Sequence, residues 1–534
     1  MKRTCAITLI LLFIPWLTAA EEPEGLDALK AVAVNLVDAR AKLAQEINDS
    51  LFSYSELGFQ EEETRRYLTA LLEREGFTVE QEVSGIPTAW WASWGSGKPV
   101  IALGTDVDGI PKSSQMPGKL AREPIVPGAP GHGEGHNSGQ AANIVAALAV
   151  KEIMERQDLP GTIVIWPGVA EELVATKAWF VRDGHFRDVD AVLFTHVSDS
   201  LGVSWGPARG TGLVSVEYTF SGKAAHGAVD PWKGRSALDA VELMNVAWNF
   251  RREHLHPLQR SHYVIVDGGD QPNVVPSEAT VWYFIREIKA SGIHENVAAL
   301  QRIAEGAAMM TDTTMTRKVI GTAYPRHFNK PLALAVGENI NAIGMPEWSE
   351  DDQKFARAFQ RFMAKHTVVN VAPVTGLATE PVGVLEPSGH PISGGSDDIG
   401  DISWNVPTIT LRYPANIKGR TFHHWSAAIA MATPIAHKGV VAGAKVMATT
   451  MLDLIENDEL LTQAWLYFQE EQTRDESYQP FITADDPPAI HKNAEIQSKY
   501  REQLSRFYYD PENYESYLEQ LGINYPDLGE FGDP

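Results

Sequence analysis

Two histidines and a glutamate fall within five residues in Gly131-His132-Gly133-Glu134-Gly135-His136-Asn137, and glycine alternates with them. Glycine lets the backbone turn freely, so the side chains between can converge. Imidazole nitrogen and carboxylate oxygen together are the donor mixture suited to zinc, manganese or cobalt. A solvated Gly-rich loop would account for the glycines but not for the three ligand-type side chains. Glu171 and Glu172 follow the apolar run 162–166. Of two adjacent acids, one can hold a cation while the other takes a proton from water beside it. Read alone, the pair is an acidic helix start of the kind the helix dipole favours. His196 closes a second apolar run, 191–195, and read alone is a capped or partly buried histidine. His423 and His424 add imidazoles from the distant C-terminal half. Four such places at loops and strand ends are harder to dismiss than one.

The elements that must position these residues alternate in type. Spans 88–94, 100–105, 162–166 and 191–195 predict strands. Span 26–51 carries Leu29, Val32, Leu36, Leu43 and Ile47 at helical spacing and predicts one amphipathic helix. Spans 62–75 and 138–156 predict two more, the second opening on Ser138 as its N-cap. Such alternation implies an α/β sheet with helices on its faces, and Glu171-Glu172 then lie at a strand's C-terminal end, where these folds place active sites. Near Gly210 the pattern changes to strand 213–221, helix 236–250, strands 263–266 and 280–285, and helix 296–309, which suits a small α+β domain. The chain then turns helical and returns to α/β, with a strand at 408–412 and a long helix at 427–454. A catalytic domain with a mixed sheet flanked by helices is therefore expected in two parts, 21–209 and 326–457, interrupted by an α+β domain at 210–325. An acidic, aromatic extension, 458–534, is expected to pack on the catalytic domain, because its Trp, Tyr and Phe residues are costly to expose.

The chain has 534 residues and a formal net charge of −24, from 45 Lys plus Arg against 69 Asp plus Glu. So acidic a surface repels phosphate backbones and argues against nucleic-acid binding. It does not exclude an anionic substrate, since an arginine or a cation dominates locally inside a cleft. Lys2 and Arg3, the apolar run 6–16 and Thr18-Ala19-Ala20 have the layout of a secretory leader, 1–20. The run is short for a bilayer span, so export to the periplasm or beyond is expected, with no transmembrane segment once the leader is removed. Cleavage there would take the only cysteine, Cys5, and leave a thiol-free chain suited to an oxidising compartment.

As an ordered set, these positions resemble the dinuclear-metal aminoacylase and carboxypeptidase family of peptidases and amidohydrolases, and within it the aminobenzoyl-glutamate utilisation group. The resemblance runs from about Leu51 to Gln469. It is carried by Thr105-Asp106-Val107-Asp108-Gly109-Ile110-Pro111, the 127–137 stretch, Glu171-Glu172, His196, Gly222-Lys223-Ala224-Ala225-His226, Asn273-Val274-Val275-Pro276, Arg286, Ser396-Asp397-Asp398-Ile399-Gly400-Asp401 and His423-His424-Trp425. The resemblance implies a zinc-exopeptidase-like fold, two divalent metal ions (zinc, manganese or cobalt), a small acyl-amino acid or dipeptide substrate, and a homodimer formed through the inserted lid domain. It implies Glu134, His136, Glu172, His196 and His423 as metal ligands, with His424 the alternative to His423. Glu171 is implied as general base and His226 as the oxyanion-stabilising residue, often acting across a dimer interface. Asn273 and Arg286 are implied as substrate contacts, and Asp108 as an acid supporting the metal site from behind. His132 has no implied ligand role, His437 reads as a helix-packing residue, and Asp397, Asp398 and Asp401 read as turn formers in a Gly-rich loop.

One position departs from that group: Glu134 stands where a cysteine thiolate is usual. A carboxylate is a harder ligand and shifts preference away from soft metals. It also leaves no oxidisable ligand in an exported chain. Glu134→Cys is expected to keep its metal under reducing conditions and to lose activity faster than the parent under peroxide; equal peroxide sensitivity of the two proteins would count against the link to export.

Overall fold

The computed structural model describes residues 25–208, 210–366, 371–387 and 394–533; the expected leader lies outside them. Apolar side chains along Val100–Asp106 and Gly161–Gly168 are buried on both faces. Ile101, Leu103, Ile163 and Ile165 join one core, and Ala102, Val164 and Trp166 join another. Strands buried on both sides belong to a sheet covered by helices on each face. The eight strands run in the order Thr78–Gln81, Trp90–Ser96, Gly161–Gly168, Val100–Asp106, Ala191–Val197, Thr408–Tyr413, Gly202–Ser204 and Gly383–Leu385. The four from Gly161–Gly168 to Thr408–Tyr413 pair in parallel, and Trp90–Ser96 joins antiparallel, so the sheet is mixed.

One face is covered by the Ala-rich helix Gly139–Gln157, buried along almost its whole length, and by Leu26–Asp38, Ala41–Tyr54 and Pro434–Glu456. Three local expectations are corrected here. Span 26–51 forms two helices, parted at Ala39-Arg40, where the Arg40 guanidinium bonds the Leu36 carbonyl and pairs with Glu152. Span 427–454 is a short 3₁₀ turn, Trp425–Ala430, followed by the helix Pro434–Glu456. Pro434 disfavours helical geometry in the residue before it, and Thr433 is extended. Ser138 precedes the helix Gly139–Gln157 but makes no cap bond; its Oγ donates to Gly135 O and pairs with the Tyr413 hydroxyl.

A second sheet, in the order Thr314–Ala323, Gly212–Ser221, Glu278–Glu287 and Arg260–Asp267, is antiparallel throughout. Its strand Thr314–Ala323 lies beyond the sequence-based expectation. Helices Ala237–Arg251 and Ala290–Thr311 cover one face, burying Val281, Tyr283 and Ile285; the alternate residues Trp282, Phe284 and Arg286 occupy the other. The extension grips both parts instead of the catalytic part alone. Arg501 pairs with Glu56 and the Tyr478 hydroxyl donates to Asp401, while Lys492 pairs with Glu217 and Phe481 packs on His294. No helix among the described residues is long and apolar enough to cross a membrane.

Gly104 sits in Val100–Asp106, and a Cβ there would lie 2.0 Å from Cζ2 of the buried Trp166. Gly104→Ala is expected to destabilise the protein by about 1–3 kcal/mol through overpacking, read as a lower thermal midpoint; an unchanged midpoint would mean the sheet and Trp166 are not in firm contact.

Candidate metal centre

The parallel strands deliver their last residues to one edge of the sheet. Val100–Asp106 ends on Asp106, with Asp108 two residues on; Gly161–Gly168 leads into the turn Glu171–Leu173; Ala191–Val197 carries His196. The crevice outside such carboxyl ends is where open α/β sheets bind ligands. The 131–137 loop brings Glu134 and His136 to the same edge, and His423 arrives from just before the turn Trp425–Ala430.

These side chains meet. The Glu172 carboxylate lies between two imidazoles, 3.9 Å from His136 Nδ1 and 3.5 Å from His423 Nε2. Glu134 is 3.9 Å from His423 Nε2. The His136 and His196 rings stand edge to face with centroids 5.4 Å apart. Glu171 Oε2 is 4.0 Å from His136 Nε2. Asp108 sits behind them: its Oδ2 accepts from the Glu172 backbone N–H at 3.1 Å, and its backbone carbonyl lies 3.2 Å from His136 Nδ1. His424 turns away, its Nδ1 accepting from the Ser426 N–H that opens the following turn, while its own N–H donates to Gly133 O. His423 is held at φ 51°, a left-handed conformation rarely adopted outside glycine.

Glu134 Oε2, His136 Nε2, Glu172 Oε1, Asp106 Oδ2 and Asp108 Oδ1 are buried without a hydrogen-bond partner. Buried polar atoms ordinarily have one, so this set of nitrogen and oxygen donors fits divalent cations. Single ligand atoms from Asp106, His136 and His196, and from His136, Glu171 and Glu172, lie within 4.8 Å of one another. A third group, Asp106, Glu171 and Asp397, does the same, so the loop aspartate Asp397 is more than a turn former. Sequence reasoning misses Asp106, Asp397 and the lysine that answers them. Asp106 lies in the 105–111 motif, where the family resemblance gives a role to Asp108 alone, and Lys177 sits in an ordinary helix with no local signal.

Lys177 is wholly buried, with Nζ paired to Asp106 at 2.6 Å and to Asp398; the Thr176 and Lys177 N–H groups also donate to Asp398. Burial would lower its pKa, but Asp106 and Asp398 hold it well above the usual lysine value. Burial, then repulsion from Asp106 and Asp397, pushes Glu171 well above the carboxylate range. Burial pushes Glu172 up to about 8, against the pull of His136, and Asp106 up to about 7, against the pull of Lys177. His196 is held well below its ordinary value by burial and by Arg412, which keeps it neutral and able to ligate. Buried His132, its Nε2 on Leu51 O, is lowered to about 4 and stays outside the cluster.

The remaining expected residues lie on the inserted part. His226 is exposed, and its Nδ1 accepts from the Ala228 and Val229 N–H groups; it pairs across a β-bridge with Val274, while Asn273 O accepts from Gly227. These hydrogen bonds all stay within that part, so within one chain they do not reach the cluster. Arg286 does approach it. Its Nη1 donates to Ser396 Oγ at 2.8 Å, next to Asp397.

Residues 211–309 match the model of a peptidase dimerisation domain. The chain is 33% identical over 464 residues to a p-aminobenzoyl-glutamate hydrolase chain of Escherichia coli, covering 83% of this chain and 95% of that one. It is 28% identical over 450 residues to the Xaa-Arg dipeptidase of Homo sapiens, covering 82% and 91%. The crystal structure of an aminobenzoyl-glutamate utilization protein from Klebsiella pneumoniae has the same fold, with a TM-score of 0.54 at 16% identity, covering 79% of this chain and 97% of that one.

A carboxyl group whose folded pKa is raised binds a proton more tightly when folded, so its contribution to stability is present at low pH and lost as pH rises through the folded value. For Glu172 that window runs from its ordinary 4.5 to about 8. The metal-free protein is expected to lose thermal stability as pH rises across this window. Manganese or zinc is expected to restore it and to release protons on binding; a metal-free stability that rises with pH would contradict this charge arrangement.

Proposed function

Because the chain belongs to the dinuclear-metal aminoacylase and carboxypeptidase family of peptidases and amidohydrolases, a family of hydrolytic metalloenzymes, we propose that it hydrolyses the amide bond of an N-acyl or N-aroyl amino acid, a compound of the aminobenzoyl-glutamate kind. The observation that carries this reading is the meeting of Glu134, His136, Glu172, His196 and His423 beside Glu171 at the carboxyl edge of the sheet. Those five would hold two cations of zinc, manganese or cobalt. Bound there, such cations supply Lewis acidity toward the scissile carbonyl and the attacking water.

Glu171 acts as the base. Burial and the neighbouring Asp106 and Asp397 raise this carboxyl group well above the carboxylate range, so it holds a proton taken from water firmly enough to carry it to the leaving nitrogen. Asp108 fixes the backbone of Glu172 and the ring of His136, the kind of support that keeps ligands oriented. Arg286 holds the substrate's carboxylate in register, and Asn273, tied to the His226 loop, contacts the substrate in the second protomer's site as His226 does. His226 donates to the oxyanion, and because its contacts stay within the inserted domain, it serves the site of a second protomer in a homodimer. The reading includes export, on the strength of Lys2, Arg3, the run 6–16 and Thr18-Ala19-Ala20. The likeness to an Xaa-Arg dipeptidase favours a dipeptide as the second substrate class for the same chemistry.

Glu171→Gln is expected to lower kcat by about 10²–10⁴-fold with metal content unchanged, whereas Glu172→Gln is expected to lose metal. Elemental analysis beside a screen of N-acyl amino acids and dipeptides reads both; metal loss in Glu171→Gln would exchange the two roles.

A further inference from the structure

The strand Thr408–Tyr413 is buried along its length except at Arg412, which is only partly covered. An arginine is out of keeping with such a strand unless something answers its charge. Arg412 lies beside His196 in the parallel register. Successive side chains of a strand point to opposite faces. Tyr413 goes to one face, where its hydroxyl meets Ser138, and Arg412 therefore rises on the other with His196. Its neighbour on the opposite flank is Gly202, which brings no side chain to meet it.

The other cations at this edge of the sheet are engaged. Lys177 is shared by Asp106 and Asp398, Arg326 pairs with Asp397, and Lys492 pairs with Glu217. Arg286 donates to Ser396. Arg412 has neither a hydrogen bond nor an ion pair among the described residues. Burial, then the nearby Arg326, holds its pKa below the ordinary value, against the pull of Asp397, Glu134 and Asp106. It stays a cation all the same. A guanidinium carries five N–H donors in a fixed fork that matches a carboxylate, and here that fork stands unused beside the metal ligands Glu134 and His196.

We propose that Arg412 is a specificity-determining residue that binds the side-chain carboxylate of the substrate's amino-acid half, while Arg286 holds the α-carboxylate of the same residue. The inference rests on the hydrolytic reading above and deepens it, because it names the group that reads the side chain. Arg286 reaches Ser396, and Arg412 stands among the charges around the adjacent Asp397, so the two arginines bracket one short segment. Two carboxylates leaving one α-carbon suit that spacing better than an anion on the distant acyl half. An acidic side chain gives the fork a bidentate partner. A glutamine side chain of the same shape offers one oxygen and turns an amide N–H₂ toward other donors, so the cation stays unmatched.

The test compares N-benzoyl-glutamate with N-benzoyl-glutamine on the full-length protein loaded with manganese or zinc. The parent is expected to favour glutamate in kcat/KM by about 10–100-fold. Arg412→Gln is expected to bring that ratio to within about threefold of one, chiefly by raising KM for glutamate, with metal content unchanged. Arg412→Lys keeps the charge without the fork, so an intermediate ratio is expected; it also keeps the test open if Arg412→Gln fails to fold. Calorimetric binding of glutamate and glutamine themselves is expected to show the same preference in the parent and its loss in the variants. A parent without the preference, or variants that keep the parent's ratio while slowing both substrates alike, would overturn the role of Arg412 and leave the hydrolase. A parent inert toward every amide would overturn the hydrolytic reading, and glutamate bound no more tightly than glutamine would then overturn the role of Arg412 as well.

Discussion

Carboxylates crowded together out of water repel one another and pay for desolvation besides, so they persist only where positive charge answers them. At the carboxyl edge of the large sheet, Asp106, Glu171, Glu172 and Asp397 come together with Asp108 and Glu134, and one buried lysine faces them from within the fold. Lys177 satisfies Asp106 and Asp398 directly, while Arg326 pairs with Asp397 at 3.3 Å. Glu134, Glu172 and His136 keep buried atoms without a protein partner. The charge on the inner side is thus met by protein cations, and the charge on the crevice side is left for cations from solution. That division separates a supporting layer from a binding layer at the same sheet edge.

The large sheet and its helices were legible because periodicity reports burial. Runs such as 162–166 and 191–195 are apolar on both faces, which only a covered strand requires. Element ends were less legible, because they depend on partners elsewhere. The break at Ala39-Arg40 follows from an arginine reaching Glu152, more than a hundred residues on, and Ser138 gives its hydroxyl to Tyr413 instead of its own helix. Thr314–Ala323 has an exposed first half and a buried second half, so it shows neither clean alternation nor a continuous apolar run.

The candidate site was legible where ligand types cluster in sequence or recur in a known order. Glu134 and His136 stand two residues apart, and His423 precedes His424-Trp425 in a recognisable motif. Lys177, Asp106 and Asp397 escape such reading for one physical reason: their roles exist only in three dimensions. A lysine in a short helix looks solvated until the fold closes over it, and an aspartate among glycines looks like a turn until its neighbours are counted. The likeness to known hydrolases brings the family and the fold, while the side chains around the crevice decide what this member can accept.

The C-terminal extension touches both domains at once, through Arg501 on Glu56 and Lys492 on Glu217. A swing of the small sheet away from the large one must therefore break a contact made by a segment that belongs to neither. Lys492 also lies over the Trp282 ring, 4.5 Å from its centroid, so the same lysine holds the segment to the small sheet a second time. This trailing segment therefore opposes any separation of the two parts. Both ion pairs are largely buried, so dissolved salt screens them far less than it would a pair on the surface.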